Sequence, residues 1–167
     1  MNNFLLRKIN TRRKKAAGFT LIELLIVIGI LVILMGTVIV AINPMKQFAK
    51  ANNSQRWANI TAVLNAVSQN IIDNRGTWTC GAGALPTTST NMADTASDPT
   101  GYDICACLVP LYIAEMPGDP TAGSYVDCNT YNTAYSIYQD SLTHRVTVEA
   151  PSAQSENGDS PEISVTR

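Results

Sequence analysis

An unbroken apolar run from Phe19 to Ile42 dominates the first quarter of the chain. Its 24 residues include a single charge, that of Glu23. At a rise of about 1.5 Å per residue, the run predicts a helix of about 36 Å, which is long enough to span a bilayer with some tilt. A carboxylate costs free energy inside such a span, although less near the interface, where Glu23 lies. The pattern therefore predicts a membrane-spanning helix whose one acidic residue needs a positively charged partner.

A second helical pattern follows the apolar run. Asn43-Pro44 interrupts the run, where we expect a kink. Pro44 either bends a continuing helix or stands at the first position of a new one, with Asn43 as its cap. Apolar residues then recur mostly at three- and four-residue steps, which is typical of an amphipathic helix. They are Phe48, Trp57, Ile60, Val63, Leu64, Val67 and Ile71. We expect this amphipathic helix over residues 44–75, with Gly76 as its left-handed cap.

The remainder, residues 76–167, combines polar loops with short strand patterns. Residues 77–110 form a long connection, because Gly81 to Gly101 shows little apolar periodicity. Three strands are predicted within residues 133–166, at 134–139, 145–149 and 163–166, and the first two are joined by a hairpin loop. The predicted fold is therefore α+β: a long N-terminal helix, apolar in its first half and amphipathic in its second, packed against a small antiparallel sheet.

Charge is divided unevenly between the two sides of the apolar run. Six of the twelve basic residues lie in residues 1–18, which contain no acidic residue, whereas the chain from Phe19 onward has a net charge of −7. By the positive-inside rule, the N-terminus is cytoplasmic and everything after Ile42 lies outside the cytoplasmic membrane. The four cysteines fall in that external part, where disulfides persist.

The cysteines, Cys80, Cys105, Cys107 and Cys128, allow three pairings. A bond between Cys105 and Cys107 would close a strained ring. This leaves Cys80–Cys105 with Cys107–Cys128, or Cys80–Cys107 with Cys105–Cys128, and the sequence does not choose between them. A metal site on Cys-Ala-Cys is the alternative, but the spacing of zinc modules and a nearby histidine are missing. Either disulfide pairing staples the long loop.

No set of residues points to an enzyme. The one histidine, His144, lies beside a predicted turn, and the sequence contains no nucleophile–base set or phosphate-binding loop. The external part has only scattered arginines and no basic patch, so nucleic acid is not an expected partner. We therefore predict a non-enzymatic protein without a cofactor.

Small residues precede the apolar run, whereas a secretory signal has its cleavage site after the run. The segment Lys15-Ala16-Ala17-Gly18-Phe19-Thr20-Leu21-Ile22-Glu23-Leu24 resembles the N-terminal motif of type IV pilins and pseudopilins. This resemblance implies a basic leader over residues 1–18, which a prepilin peptidase removes between Gly18 and Phe19, and N-methylation of Phe19. It also implies that Glu23 pairs with the terminal amine of a neighbouring subunit.

Two departures from the family pattern concern the leader and the apolar helix. The leader is longer than the shortest in the family, and the proline often found midway along the helix is missing. Gly29 and Gly36 stand inside the helix instead. They are candidates either for local unwinding during assembly or for close helix packing.

The resemblance further implies a structural subunit of a type IV pilus-like surface filament, with roles such as adhesion, motility or DNA uptake. Residues 19–43 would lie first in the cytoplasmic membrane and later in the filament core. Expected partners are identical or related pilin subunits, the prepilin peptidase, the pilus assembly machinery and the inner membrane. Two alternatives remain: a pseudopilin of a type II secretion system, and a membrane-anchored extracytoplasmic module that never polymerises.

Met116-Pro117-Gly118-Asp119-Pro120 is similar to a loop of the major pseudopilins, where the residues that follow can bind calcium. The nearest carboxylates are Asp119 and Asp127, but Thr121 stands where the family often has an aromatic residue. The sequence favours a proline-bounded turn in which Asp119 bonds to its own backbone.

Overall fold

The structure is a computed structural model, which describes residues 18–156 and 158–167. The predicted leader therefore lies outside the described residues, except for Gly18. The chain divides into two units, Met1–Ile42 and Asn43–Arg167. Three helices and five strands are described: α1 Leu21–Ile42, α2 Pro44–Asp73, β1 Thr90–Ala93, α3 Cys105–Leu108, β2 Ser124–Asp127, β3 Thr130–Gln139, β4 Val146–Glu149 and β5 Ser164–Thr166.

Helix α1 is apolar on all sides and uncovered. Its large apolar side chains are between 47% and 86% exposed, the extremes being Leu31 and Leu21. The stretch Leu21–Ile39 is long and apolar enough to cross a membrane. Because water is a poor solvent for such a surface, α1 requires lipid or other protein around it.

Asn43 separates the two helices. Its backbone is in the left-handed conformation, with φ 47° and ψ 81°, which interrupts the helical geometry between Ile42 and Pro44. Pro44 then occupies the first position of α2, where a missing N–H costs nothing. Asn43 is the predicted N-cap residue, but its side chain makes no capping hydrogen bond.

The other end of α2 differs from the prediction by one residue. Arg75, with φ 59°, is the first left-handed residue after the helix, and Gly76, with φ 88°, follows it. The N–H of Gly76 donates to the carbonyl of Ile71 at 2.8 Å, and that of Arg75 donates to Ile72 at 3.2 Å. This is the hydrogen-bond pattern of a Schellman cap with an arginine in the position that usually holds glycine.

The antiparallel sheet of the second unit has the order β1-β3-β4-β5, and β2 pairs with the first residues of β3. The three predicted strands correspond to β3, β4 and β5. The prediction of a structureless loop from Gly81 to Gly101 was wrong at β1, which pairs with β3, and β2 was not predicted. Both missed strands have four residues, and little apolar alternation marks them in the sequence.

The core lies between α2 and the sheet. Along β3 every second residue is buried, namely Tyr131, Thr133, Tyr135 and Ile137. The buried face of α2 packs against β4 and β5 and places Ile60, Val63, Leu64 and Val67 in the same core. Each fully buried apolar side chain contributes about 1.5–3 kcal/mol relative to an exposed one. The α+β fold, with a long N-terminal helical region and a small antiparallel sheet, is confirmed.

Candidate functional site

The first turn of α1 carries the residues that the sequence singled out. Thr20 precedes the helix, and its hydroxyl accepts a hydrogen bond from the N–H of Glu23 at 3.3 Å. The Thr20 carbonyl accepts the N–H of Leu24 at 3.2 Å, which closes the first helical turn. Thr20 and Glu23 thus have the spacing of a capping box, and Glu23 lies where the helix dipole favours a negative charge.

Glu23 itself is exposed and lies in an apolar surface. Among residues 18–156 and 158–167, no cationic group is within ion-pair distance of its carboxylate. Phe19, one turn earlier, is 82% exposed. The turn therefore presents a capped helix end with one negative charge, which can accept a cation from another molecule.

The second unit contains a buried ion pair between α2 and the segment before β2. Arg56 donates from Nε to Asp119 Oδ2 at 2.6 Å and from Nη2 to Asp119 Oδ1 at 3.0 Å, and neither side chain is exposed to solvent. The remaining donors of Arg56 bond Asn53 Oδ1 and Thr121 Oγ1, both at 2.8 Å. A bidentate pair in which every guanidinium nitrogen donates a hydrogen bond is the arrangement in which buried charges are tolerated.

Asp119 also organises its own turn. Its Oδ1 accepts the N–H of Thr121 at 2.8 Å and that of Ala122 at 3.0 Å. Burial raises the pKa of Asp119, but hydrogen bonds from Arg56 and Thr121 more than offset this, so the pKa lies below its usual value. The predicted turn in which Asp119 bonds to its own backbone is therefore present.

Asn53 extends this network to the chain segment after β4. Its side-chain amide donates to the carbonyl of Gln154 at 2.8 Å and to Glu156 Oε1 at 2.9 Å, and its Oδ1 accepts the N–H of Gln154 at 2.9 Å. Arg56 and Asn53 together fix two loops on one face of α2. We call residues 76–167 the head. These polar contacts join the head to α2 where the apolar core ends.

The calcium candidates do not form a joint site in this structure. Both oxygens of Asp119 are engaged by Arg56, while Asp127 is exposed and caps a turn through the N–H of Asn129 at 2.8 Å. In the part of the chain that the structure describes, no three His, Cys, Asp or Glu residues converge on a metal-binding position. His144 is exposed in the β3–β4 hairpin loop, where its φ is 56°.

All four cysteines are paired, as Cys80–Cys107 and Cys105–Cys128. Both bonds meet on α3, which they join to the loop after α2 and to the β2–β3 hairpin. The sequence separations are 27 and 23 residues. Closing loops of this size stabilises the folded state by about 3–4 kcal/mol each on the chain-entropy account. The structure thus selects one of the two pairings that the sequence left open.

The buried ion pair of Arg56 with Asp119 was not predicted from the sequence. A usable signal exists: Arg56 lies four residues before Ile60 and three after Asn53, on the stripe of α2 that is buried. A charge on the apolar face of an amphipathic helix needs a buried partner of opposite sign. The position of Asp119 could not be derived from the sequence, because it depends on packing across 63 residues.

Comparison with known proteins finds a family match for one segment of the chain. Residues 13–39 match the prokaryotic N-terminal methylation motif, the signature of type IV pilins and pseudopilins, so the resemblance found in the sequence is confirmed. The match covers the end of the leader and most of α1 and does not extend to the second unit. No curated protein and no solved structure matches the chain.

Proposed function

We propose that this chain is the precursor of a structural subunit of a type IV pilus-like filament. Cleavage between Gly18 and Phe19 removes the basic leader, and the new amine on Phe19 is methylated. Before assembly, α1 anchors the mature chain in the cytoplasmic membrane. The chain then assembles with identical or related subunits, and α1 packs in the filament core.

The observation that carries this proposal is the combination of the methylation motif with an uncovered α1. The motif lies at residues 13–39, and the large apolar side chains that the structure describes in α1 are all exposed. The second unit, in contrast, buries its own core. An uncovered helix in a chain whose second unit buries its own core is suited to move from lipid to packing against other copies.

Glu23 has a role in each environment. In lipid its charge is costly, although its place in the first turn of α1 reduces the cost. In a filament it pairs with the Phe19 amine of a neighbouring subunit, so that two charges are neutralised as the helices pack. The pairing therefore makes assembly favourable for subunits in the correct axial register.

A secretion pseudopilin is a second candidate because of the Met116-Pro117-Gly118-Asp119-Pro120 segment. Its calcium site would have to involve Asp119, whose carboxylate here holds Arg56. The two candidates share processing, membrane storage and helix packing. They differ in whether the filament extends from the cell surface or drives secretion.

Substituting Glu23 tests the filament proposal. We expect Glu23→Ala to leave leader removal largely intact and to abolish filaments, because the Phe19 amine then has no carboxylate partner. Electron microscopy of sheared surface filaments, together with mass analysis of the N-terminus of their subunit, measures both steps. Glu23→Gln keeps the size of the side chain and should fail in the same way, which separates charge from shape.

Glu162→Ala is the matched control, because it removes an exposed carboxylate from the second unit. It should assemble normally. Normal filaments from Glu23→Ala would refute the pairing. A wild-type chain that is processed and stays in the membrane without filaments would favour the non-polymerising module.

A further inference from the structure

The first two turns of α2, residues 44–50, lie at the end of the helix where burial begins, and only Ala49 among them is buried. Met45 is 75% exposed and Phe48 is 66% exposed, and Lys46 and Lys50 are exposed as well. The buried stripe of α2 begins only at Ala49. We call residues 44–50 the collar. It has two large apolar side chains and two cations that nothing in the described part of the chain covers.

The collar is amphipathic across its own short length. Lys46 and Lys50 are four residues apart, so they lie on one side of the helix, and Met45 and Phe48 are three residues apart and share another side. At about 100° per residue, the midlines of the two pairs are about 150° apart around the helix. Cations and apolar groups therefore face nearly opposite directions.

The collar also lacks acidic neighbours. No Asp or Glu occurs between Glu23 and Asp73, and the third cation of this stretch, Arg56, is buried against Asp119. Among residues 18–156 and 158–167, no carboxylate lies within ion-pair distance of Lys46 or Lys50. These two ammonium groups are therefore available to an anion outside the chain.

Chain connectivity places the collar at the membrane surface. The 22 residues of α1 span about 33 Å, which matches the hydrocarbon core of about 30 Å. Two residues separate the end of α1 from Met45, and an extended chain spans at most about 3.6 Å per residue. The collar therefore begins in or next to the headgroup layer while α1 is in the bilayer, and its last residue, Lys50, lies at most about 15 Å along the chain from the end of α1. Lysine and aromatic side chains are favoured in this layer.

We infer that the collar binds anionic phospholipid headgroups while α1 spans the membrane. Lys46 and Lys50 pair with lipid phosphates, and Met45 and Phe48 contact the boundary between headgroups and acyl chains. This inference rests on the proposed function only in that α1 is membrane-embedded before assembly. A second copy of the chain is also an acidic surface, because its residues from 51 onward carry a net charge of −8. The lipid is favoured because connectivity brings it to the collar without any assembly.

Amine labelling of the unmodified mature chain tests the inference, because Lys46 and Lys50 are its only lysines. The chain is reconstituted at high dilution into phosphatidylglycerol or phosphatidylcholine vesicles and treated with a water-soluble acylating reagent, and acylation is read by mass spectrometry. Each lysine should react about fivefold more slowly in phosphatidylglycerol, and salt should remove most of the difference. Vesicle flotation separately checks that α1 is inserted.

Phe48→Ser tests the apolar half of the collar and should reduce the protection of both lysines. Leu142→Ser is the matched control, since Leu142 is 89% exposed at the tip of a hairpin loop, and it should change nothing. Equal labelling rates in the two lipids, with α1 inserted, would overturn the inference. Protection that rises with the density of protein in the bilayer and ignores lipid charge would also overturn it and would identify a second copy as the occupant.

Discussion

At the scale of single residues, the Arg56–Asp119 pair decides how the head is attached to α2. The two side chains are fully buried, and the charge of Arg56 has no other compensation within the hydrogen-bond network. Asp119 has more support, because the backbone of its own turn also donates to it. The pair is therefore asymmetric, because the guanidinium depends on Asp119 for its counter-charge whereas the carboxylate has further donors in its own turn.

This asymmetry predicts unequal effects of two substitutions. Asp119→Asn should lower the free energy of unfolding by about 3–5 kcal/mol, because it leaves a buried cation without a counter-charge. Arg56→Met should cost less, since Thr121 and Ala122 still bond the carboxylate. The double variant should be more stable than the sum of the single effects by about 1–3 kcal/mol. Urea unfolding of the detergent-solubilised chain measures all three.

Arg145→Met is the control for that cycle, because it removes an exposed arginine from the same unit. Its effect should stay within about 0.5 kcal/mol. Strictly additive single effects would show that Arg56 and Asp119 are not coupled.

Among the aspartates whose carboxylates accept backbone N–H groups two or three residues later, four also have a pKa below the usual value. They are Asp94, Asp98, Asp119 and Asp140. Hydrogen bonds from the Ser97 side chain and from the backbone N–H of Tyr131 lower the pKa of Asp94 to about 2. Such bonds also hold the pKa values of Asp98 and Asp140 below the usual value.

These depressed pKa values predict the pH dependence of stability. Between about pH 4 and pH 2 the unfolded chain binds more protons than the folded chain, so the free energy of unfolding falls as the pH is lowered through this window. Above about pH 5 these aspartates contribute no slope. Asp94→Asn should be less stable at neutral pH and should lose less on acidification. Urea unfolding at pH 7 and pH 3 compares the two chains, and an unchanged slope in the variant would contradict the assignment.

At the scale of elements, the sequence predicted those helices and strands that have a clear periodic pattern of apolar residues. The apolar run predicted α1, the three- and four-residue steps predicted α2, and the alternation over residues 134–139 predicted most of β3. The strand β1 was missed because its pairing with β3 is non-local. The strand β2 forms a local hairpin with β3, but its four residues show too little apolar alternation to mark a strand. Thr90-Asn91-Met92-Ala93 becomes a strand through contacts such as the bond from the Thr133 hydroxyl to the Met92 carbonyl at 2.8 Å.

Contacts between residues that are remote in the chain also limited what the sequence could predict about the candidate sites. Glu23 was recognisable because its charge contradicts the apolar pattern around it, and the residues before it form a sequence motif. Arg56 contradicts its pattern as well, but its partner is remote in the chain. The disulfide pairing depends on where α3 places Cys105 and Cys107, so the sequence could reduce the options to two and go no further.

At the scale of the whole molecule, the two units have opposite requirements. The second unit, Asn43–Arg167, contains its own core, two disulfides and the buried ion pair. The described side chains of the first unit, in residues 18–39 and 42, belong to no core, and α1 needs an apolar environment. In the proposed filament subunit, the second unit folds once, whereas α1 exchanges lipid for protein contacts during assembly.

This division predicts that the second unit folds without α1. A fragment of residues 43–167, produced in an oxidising compartment, should be soluble and monomeric with both disulfides formed, because every core side chain lies within it. Size-exclusion chromatography, circular dichroism and thermal unfolding check the fragment, which should unfold in one cooperative step. The full chain should require detergent under the same conditions. An aggregated or non-cooperative fragment would show that α1 contributes to folding the head as well as to anchoring it.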